Sequence, residues 1–584
     1  MLKVLWSRIG KYKNATYISI FLVVAEAIFE ILIPFMMSKI LDKGVNAGNM
    51  GNVFFYGVVM VCLSAASLTC GVLCGRSAAY ASSGFAANLR EGMYKNIQTF
   101  SFSNIDKYST AGLVTRLTTD VTNIQNSYQM MIRMMMRAPA MMIAAFVMTT
   151  IISPKIALIF LVAIIFLATV LLLIMKSATK LFSQLFRKYD DLNASVEENV
   201  KGIRVVKSFV KEDYEIKKFG NSIQKIYDLG VRAEAKIAIN LPILMLTIYA
   251  CILILSWVGA HYIVSGSLTT GELTSLFAYV MNIFISLILL SFTFVMITMS
   301  EASAERVAGV LTEKTDITSP EQAVMEVKDG SIDFENVNFS YGKIKKDKKK
   351  FVLSDIDLHI RAGETIGIIG GTGSSKTSLV NLISRLYDTT EGTVKVGGID
   401  VRKYNLTVLR DKVAVVLQKN ELFTGTILEN LRWGDKNATD EECIRACKIA
   451  CADEFIERFP DQYETRIEQG GSNVSGGQKQ RLCIARALLK KPKVIIFDDS
   501  TSAVDTATDA KIRKALREDI PDTTKIIIAQ RISSVKDADR IIVLDRGRIS
   551  GVDTHENLLM NNEIYRAVAQ AQMEGSGDFD KVGA

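Results

Sequence analysis

The chain has 584 residues, of which 49% are hydrophobic, and a mean hydropathy of +0.23. This length exceeds one typical domain, and this hydropathy exceeds that of an ordinary soluble protein. The formal net charge of +8 would suit a nucleic-acid-binding protein, but many of the cations flank apolar segments, where they set membrane orientation instead. We therefore expect a membrane protein with no nucleic-acid partner.

The hydrophobic excess lies before about residue 300, in six apolar segments that predict membrane spans. The third is short unless it includes the methionine-rich approach at 130–136. Glu26 and Glu30 lie one turn apart inside the first segment, where a carboxylate is a functional candidate. They could attract cationic drugs or bond to a neighbouring helix, and both readings stay open. The segments are Tyr17–Ser38, Val53–Cys74, Ala138–Ile152, Ile156–Met175, Leu241–Ile263 and Leu273–Met296.

The connections between these segments predict their orientation. Those after the first, third and fifth segments are short and carry little positive charge. Those after the second and fourth are long, rich in Lys and Arg, and helical in their periodicity. Because positive connections stay in the cytosol, we expect a multi-pass protein of the plasma membrane whose helices extend into the cytosol. Both termini would then be cytoplasmic.

The second half of the chain reads as an α/β domain. The stretch SIDFENVNFSY (331–341) alternates as a strand does, and residues 343–350 predict a lysine-rich surface loop. The stretch ETIGIIGGTGSSKTSLVNLISRLYD then runs from an apolar strand through a glycine-rich turn into a helix, the layout of a phosphate-binding loop. Its expected binding residues are Gly370, Gly371, Thr372, Gly373, Ser374, Ser375, Lys376, Thr377 and Ser378.

Particular residues of this loop have distinct expected roles. Lys376 would reach the β- and γ-phosphates of a nucleotide, and the Thr377 hydroxyl would ligate magnesium. The strict pattern has glycine where this chain has Ser375. About 120 residues further on, VIIFDDSTSAVD predicts a buried strand that ends in two carboxylates, of which Asp498 suits a magnesium-linked role. Asp499 is the candidate general base.

Between these stretches, the chain resembles the ABC transporters. Ser475-Gly476-Gly477-Gln478 resembles their signature sequence, and the stretches around it resemble their Q-loop, Walker B and D-loop. NIDKYSTAGLVTRLTTDV (104–121) and ENVKGIRVVKSFVKEDYE (198–215) resemble the two intracellular loops of ABC exporters. Carried over residue by residue, the resemblance implies ATP-site roles for Tyr341 on adenine, Gln418 in catalysis and at the metal, Asp505 in the D-loop, and Ser475, Gly476, Gly477 and Gln478 in the signature.

The resemblance implies a fold and an activity. We expect a membrane domain of six transmembrane helices with long cytosolic extensions, followed by an α/β P-loop ABC ATPase domain that uses ATP and Mg²⁺. Residues 1–312 would form the transmembrane exporter domain, 313–328 a linker, 329–574 the nucleotide-binding domain and 575–584 a flexible tail. With one nucleotide domain per chain, this half-transporter would pair with a second ABC half-transporter in the lipid bilayer.

Two of the expected catalytic residues, Asp499 and Gln530, depart from the family pattern. Asp499 stands where these ATPases have a glutamate, so its carboxylate falls about 1.3 Å short. Gln530 stands where they have a histidine, and an amide cannot become a cation. Such a chain resembles the degenerate-site half of heterodimeric bacterial multidrug ABC exporters, which would move an amphipathic or drug-like substrate out of the cytosol.

Alternatives to that reading are a homodimeric lipid or drug exporter with two slow sites and a non-transporting, ATP-gated membrane protein. The substrate itself, whether small molecule, lipid or peptide, stays open. The intact signature, Ser475–Gln478, favours the heterodimer, because it can complete a competent site on a partner chain.

Overall fold

The computed structural model describes residues 2–342, 351–500 and 504–573. The expected lysine-rich loop at 343–350 and the expected tail at 575–584 lie outside the described residues. Contacts divide the chain into two compact units. We call residues 1–98 with 110–313 the membrane unit, and residues 99–109 with 314–584 the nucleotide unit.

The membrane unit is α-helical. Among the described residues, six helical stretches are long and apolar enough to cross a membrane, which confirms the six predicted spans. The stretches are Gly10–Val45, Met50–Ile97, Thr110–Ile152, Pro154–Lys201, Glu212–Val264 and Thr270–Thr312. The helices themselves are α1 (Leu2–Ser7), α2 (Lys13–Ile40), α3 (Met50–Ile97), α5 (Thr110–Thr115), α6 (Val121–Ile152), α7 (Pro154–Lys201), α8 (Ile203–Ser208), α9 (Glu212–Ala238), α10 (Asn240–Val264) and α11 (Thr270–Thr312), with α4 (Phe102–Lys107) in the nucleotide unit.

Several helices of the membrane unit are much longer than the apolar segments seen in the sequence. α3 and α7 each have 48 residues, about 72 Å at 1.5 Å per residue, whereas the hydrocarbon core of a bilayer is about 30 Å thick. Both therefore extend well beyond the membrane, as the sequence predicts. α6 runs unbroken through the methionine-rich approach and contains Pro139, so the third span has a full length after all.

The nucleotide unit combines three sheets with short helices. Its strands are β1 (Ile332–Phe339), β2 (Leu353–Ile360), β3 (Thr365–Ile369), β4 (Glu391–Val396), β5 (Ile399–Asp400), β6 (Val413–Val416), β7 (Gly425–Thr426), β8 (Arg466–Ile467), β9 (Val494–Asp498), β10 (Thr524–Ile528), β11 (Arg540–Asp545) and β12 (Arg548–Asp553). After α4, its helices are α12 (Lys376–Ile383), α13 (Leu406–Lys412), α14 (Ile427–Leu431), α15 (Asp440–Ile449), α16 (Asp453–Ile456), α17 (Gly476–Leu488), α18 (Thr506–Asp519), α19 (His555–Asn561) and α20 (Glu563–Met573).

The main sheet has six strands in the order β12-β11-β3-β10-β9-β6. The five strands from β11 to β6 are parallel, and β12 is antiparallel at the edge. Alternate residues of β9 pack into two hydrophobic clusters, Ile495 and Phe497 into one and Val494 and Ile496 into the other. Burial on both faces is typical of parallel sheets and explains the unbroken apolar run in the sequence.

A second sheet of four antiparallel strands, in the order β2-β1-β4-β5, carries the strand predicted from SIDFENVNFSY. β1 buries Ile332, Phe334, Val337 and Phe339, and Tyr341 follows directly after it. β7 and β8 form a two-stranded pair. The fold class expected from the sequence, a helical membrane domain followed by an α/β domain, is confirmed.

Candidate functional site

The carboxyl ends of four neighbouring parallel strands meet at one edge of the main sheet. This is the edge at which open α/β sheets bind their ligands. In sheet order β3, β10, β9 and β6, the functional candidates at this edge are loop 370–375, Gln530, Asp498 with Asp499, and Gln418. The topology therefore brings together residues that lie up to about 160 positions apart in the sequence.

The loop between β3 and α12 contains a tight turn. Gly373 has a φ of +81° and Ser375 a φ of +75°, a left-handed region that costs an L-residue about 1–2 kcal/mol. A Cβ added to Gly370 would come within 2.4 Å of the Leu544 carbonyl oxygen, so a side chain there would force the backbone to move. α12 begins directly after this turn, and its first N–H groups have no partners within the helix.

Lys376 lies across the loop. Its Nζ donates hydrogen bonds to the carbonyl oxygens of Gly370 at 2.7 Å and Gly371 at 2.9 Å. It also lies 3.4 Å from Oγ of Ser374, which is buried. This arrangement fits an anionic ligand such as a phosphate, because the cation and the N-terminus of α12 belong to the same loop.

Thr377 and Asp498 form a pair of oxygen donors. Oγ1 of Thr377 lies 3.0 Å from each carboxylate oxygen of Asp498. Asp498 is only 4% exposed, and burial raises its pKa, because desolvation disfavours the charged form. A divalent cation would offset that cost, and a hydroxyl beside a carboxylate is a donor set that Mg²⁺ prefers. The two residues therefore fit the expected magnesium ion.

Asp499 accepts hydrogen bonds from two glutamine side chains. Nε2 of Gln530 lies 3.0 Å from Oδ2 of Asp499, and Nε2 of Gln418 lies 3.4 Å from the same oxygen. Burial raises the pKa of Asp499, while the two amide donors and nearby cations act against that rise. The structure thus places the three expected catalytic residues in one hydrogen-bonded cluster.

Tyr341 lies beside the start of α12. Its Oη is 2.7 Å from Oγ of Ser378, and its ring makes edge-on contacts with Phe339 and Tyr387, at centroid distances of 4.8 Å and 5.0 Å. Tyr341 is 47% exposed. Part of the ring is therefore accessible to a flat ligand such as adenine.

Sequence reasoning missed Tyr387, which connects this aromatic group to α4. Oη of Tyr387 donates a hydrogen bond of 2.5 Å to Oδ2 of Asp106, and its ring lies 6.1 Å from that of Phe102. Burial raises the pKa of Tyr387, and Asp106 raises it further. The partners are 281 residues apart, so no local pattern connects them. The first of the two predicted intracellular loops therefore contributes α4 to the nucleotide unit.

The signature residues cap a helix. Oγ of Ser475 accepts from the N–H of Gln478 at 3.3 Å, and Oε1 of Gln478 accepts from the N–H of Ser475 at 2.8 Å. This reciprocal capping box fixes the first turn of α17. Within the described chain, Ser475–Gln478 have no hydrogen bond to residues 370–378. Ser475 and Gly476 are exposed, which leaves this helix N-terminus open to an anion from outside the chain.

Asp505 caps α18, and its carboxylate accepts from the N–H of Thr508 at 2.9 Å. That backbone hydrogen bond holds the pKa of Asp505 below its ordinary value. The preceding residues, 501–503, lie outside the described part of the chain.

Comparison with known families decides the identity. Residues 16–299 match the model of the ABC transporter transmembrane region, and residues 353–502 match the ABC transporter model. The chain is an ABC transporter. Its exporter-type arrangement, a membrane domain fused to an ATPase domain, is that of a half-transporter, which dimerises and embeds in the membrane.

Several bacterial proteins are similar over most of this ABC transporter. The uncharacterized ABC transporter ATP-binding protein YfiB of Bacillus subtilis is 33% identical over 566 residues, which cover 97% of this chain and 98% of YfiB. The uncharacterized ABC transporter ATP-binding protein MT1311 of Mycobacterium tuberculosis is 33% identical over 98% of each chain. YknV of Bacillus subtilis is 33% identical over 83% of this chain and 80% of its own.

Family membership establishes the core chemistry. The ABC ATPase domain uses ATP with Mg²⁺, and its hydrolysis of ATP is coupled to transport. The loop at 370–378 and the pair Thr377–Asp498 offer the cation, the helix N-terminus and the oxygen donors that these ligands require. Bound Mg²⁺ would neutralise charge that develops on the phosphate oxygens.

Proposed function

We propose that this ABC transporter is one half of a heterodimeric exporter, and that its own ATP site binds ATP but turns it over slowly. The observation that carries the proposal is the hydrogen bond of 3.0 Å from Gln530 to Asp499. In this arrangement a short carboxylate is held by a neutral amide, where the family has a longer carboxylate and an ionisable imidazole.

The residues of this site divide into holding and reacting groups. We propose that loop 370–375, Lys376 and Ser378 hold the phosphates, that Tyr341 stacks on adenine, and that Thr377, Asp498 and Gln418 serve the metal. These groups position a nucleotide and neutralise its charge, which is most of what phosphoryl transfer needs. Their presence supports tight binding of ATP.

The groups proposed to act on the attacking water are less suited to that role than the residues of the family pattern. A general base contributes about 10²- to 10⁴-fold only if it lies within hydrogen-bond reach of the attacking water. Asp499 is shorter than the family glutamate, and it already accepts hydrogen bonds from Gln530 and Gln418. Gln530 offers an amide donor but no positive charge. These features support slow turnover at this site.

The signature residues serve the other site in this proposal. Ser475–Gln478 keep the family pattern except that Val474 stands in place of the usual leucine, and α17 presents an intact, exposed capping box. The N-terminus of α17 would complete a site whose remaining residues come from the partner chain, and Asp505 would lie at the same interface. Most of the hydrolysis would then occur on the partner's nucleotide.

Two segments are proposed to couple nucleotide binding to transport. α4 is already part of the nucleotide unit, where Tyr387 holds Asp106. The second segment includes α8, and the side chains of Val205, Phe209 and Val210 on and after it are exposed. An apolar surface on a cytosolic loop supports docking on another protein, and we propose the partner's nucleotide domain.

The proposed orientation rests on charge: the cation-rich connections favour cytosolic loops and cytosolic termini, so the nucleotide unit would be cytosolic. The proposed direction of transport rests on the resemblance to ABC exporters, by which an amphipathic or drug-like substrate would leave the cytosol through the plasma membrane.

The test is to purify the tagged chain from its native membrane and identify the ABC chain that copurifies. ATP turnover and substrate transport into inverted vesicles are then measured for the pair and for this chain alone. We expect the pair to be active and the chain alone to be nearly inactive. Robust transport by the chain alone would contradict the heterodimer and favour two slow, identical sites. ATP-dependent conductance without accumulation of substrate would favour the ATP-gated alternative.

A further inference from the structure

The membrane unit contains a charged cluster outside the ATP site. Arg137 of α6 bridges both glutamates of α2. Its Nη1 lies 2.5 Å from Oε1 of Glu26, and its Nη2 lies 2.6 Å from Oε2 of Glu30. From the sequence, these two carboxylates could either attract a cationic drug or bond to a neighbouring helix. In the structure both form ion pairs with a guanidinium of a neighbouring helix.

An open cavity of about 710 Å³ borders this cluster. Its lining includes Ile33, Leu68 and Val72 on the apolar side. The charged groups of the lining are Glu26, Glu30, Arg76, Arg133 and Arg137. Three guanidiniums against two carboxylates leave this cavity with a net charge of +1.

In the described part of the chain, Arg133 and Arg76 are the unpaired cations of this cavity. Arg133 lies one turn before Arg137 on α6, and a Cβ added to Gly75 would lie 3.9 Å from its Nη1. Within the described residues, neither Arg133 nor Arg76 has an ion-pair or hydrogen-bond partner. A guanidinium next to a membrane span needs a compensating anion or water, and no carboxylate of the described chain supplies one.

A second cavity, of about 550 Å³, continues from the same residue. Arg133 lines both cavities, and the second is also lined by Met130, Met134 and Met296. Methionine side chains are flexible and polarizable, so they adapt to apolar ligands of varied shape. A single cation between two partly apolar cavities matches a ligand with one anionic headgroup and an apolar body.

We propose that the cavity formed by α2, α3 and α6 binds an amphiphile with an anionic headgroup, a phosphate or carboxylate, whose charge pairs with Arg133 and Arg76. The headgroup also meets an acceptor, since Oε2 of Glu26 is buried without a hydrogen-bond partner in the described structure. A hydroxyl or N–H of the headgroup would donate to that oxygen. This inference rests on the proposed exporter function and gives its substrate a chemical class.

A cationic amphiphile fits this site less well. It would have to displace Arg137 from Glu26 and Glu30, whose charge-assisted hydrogen bonds are the strong kind. It would also enter a cavity that is already positive. An anion instead uses the groups that lack partners and leaves the existing ion pairs intact.

The test is a binding measurement on the purified, nucleotide-free transporter in phosphatidylcholine nanodiscs. The probes share one alkyl chain and differ in headgroup: dodecyl phosphate, dodecyltrimethylammonium and dodecanol. We expect dodecyl phosphate to bind at least about tenfold more tightly than the other two, because a charge-assisted hydrogen bond contributes about 1.5–3 kcal/mol.

Variants assign the site. Arg133→Gln should weaken the binding of dodecyl phosphate by about tenfold. Glu26→Gln should strengthen it severalfold, because the cavity then gains positive charge. Arg232→Gln, on an exposed position of α9, is the matched control and should leave the affinity for dodecyl phosphate unchanged. Any of three results would overturn the proposal. They are tighter binding of dodecyltrimethylammonium than of dodecyl phosphate, a loss of dodecyl phosphate affinity in Arg133→Gln no larger than in Arg232→Gln, and weaker dodecyl phosphate binding in Glu26→Gln.

One further arm identifies the source of the headgroup. If a bilayer lipid is the ligand, phosphatidylglycerol nanodiscs should compete with dodecyl phosphate and raise its apparent Kd. If a dissolved amphiphile is the ligand, the Kd should stay the same. Because binding is measured without ATP, a negative result would count against the anionic ligand and not against the proposal of unequal ATP sites. In the same way, a finding of equal ATP sites would not alter the measured preference for dodecyl phosphate.

Discussion

The side-chain amide of Gln530 donates a hydrogen bond of 3.0 Å to the carboxylate of Asp499. The same carboxylate oxygen lies 3.4 Å from the amide of Gln418. We propose that a carboxylate held in this way at the end of β9 orients neighbouring groups and contributes little as a general base. Changes to this pair should therefore affect turnover at this chain's own site and leave its ATP affinity unchanged.

Restoring the family residues should activate this site. In a Ser475→Arg background, in which the partner's site is disabled, Asp499→Glu with Gln530→His should raise ATP turnover by at least about tenfold, a modest share of the 10²- to 10⁴-fold worth of a general base. ATP affinity should stay the same. Steady-state ATP hydrolysis by the purified pair measures the turnover, and the variants with each single substitution are the controls. No gain in the double variant would show that another residue limits this site.

Much of this site could be predicted from the sequence, because its parts are local patterns. The apolar strand, the glycine-rich turn and the helix start give loop 370–378 without further information, and the buried run before Asp498 gives β9. The pairs Arg137–Glu26 and Tyr387–Asp106 could not be predicted, since they join residues 111 and 281 positions apart. Such contacts depend on how helices pack, which local periodicity does not record.

Nucleotide binding should depend on Lys376 and Tyr341. Lys376→Ala removes the only side-chain cation within residues 370–378 and should weaken ATP binding at this chain's loop by at least tenfold, at about 1.5–3 kcal/mol for a charge-assisted hydrogen bond. Tyr341→Ala should weaken it less, by the loss of stacking, about 0.5–1.5 kcal/mol. Photolabelling with an azido-ATP reports the affinity. Tyr341→Phe, which keeps the ring, is the matched control. Unchanged labelling of both alanine variants would contradict the assignment of the loop.

Asp498→Asn should separate stability from function. Because burial raises the pKa of Asp498, its ionised form costs the folded protein free energy, and stability falls as the pH rises from the ordinary aspartate pKa through the raised one. At neutral pH, asparagine removes this cost, so the nucleotide-free protein should unfold at a higher temperature. Stabilisation by MgATP, about 2.7 kcal/mol at 100 times Kd, should largely disappear.

The control for that experiment is Asp461→Asn, an exposed position that should alter neither quantity. Thermal unfolding with and without MgATP measures both. Two results would count against Asp498 as a buried metal ligand. One is a nucleotide-free Asp498→Asn protein that unfolds at a lower temperature than the unsubstituted protein, and the other is an unchanged rise in unfolding temperature when MgATP is added.

Tyr387 should matter for coupling. Tyr387→Phe removes the hydroxyl that donates to Asp106 but keeps the aromatic packing against Tyr341 and Phe102. We expect transport per ATP hydrolysed to fall by roughly tenfold, since a hydrogen bond to a charged group is worth about 1.5–3 kcal/mol, while ATP affinity stays the same. Parallel transport and hydrolysis assays on vesicles measure the ratio. Tyr227→Phe, on an exposed position of α9 outside both predicted intracellular loops, is the control, and an unchanged ratio in Tyr387→Phe would exclude this contact from coupling.

If the two ATP sites of the assembled transporter are unequal, substitutions at the two sites should have unequal effects on ATP hydrolysis. ATP hydrolysis is measured for the purified pair with Asp499→Asn and, separately, with Gly477→Asp in the signature. We expect Asp499→Asn to lower total turnover less than twofold, because its carboxylate contributes little. We expect Gly477→Asp to lower total turnover by at least about tenfold, because an added carboxylate at the N-terminus of α17 repels the partner's nucleotide. A large loss of turnover in Asp499→Asn with little loss in Gly477→Asp would contradict the proposed inequality of the two ATP sites.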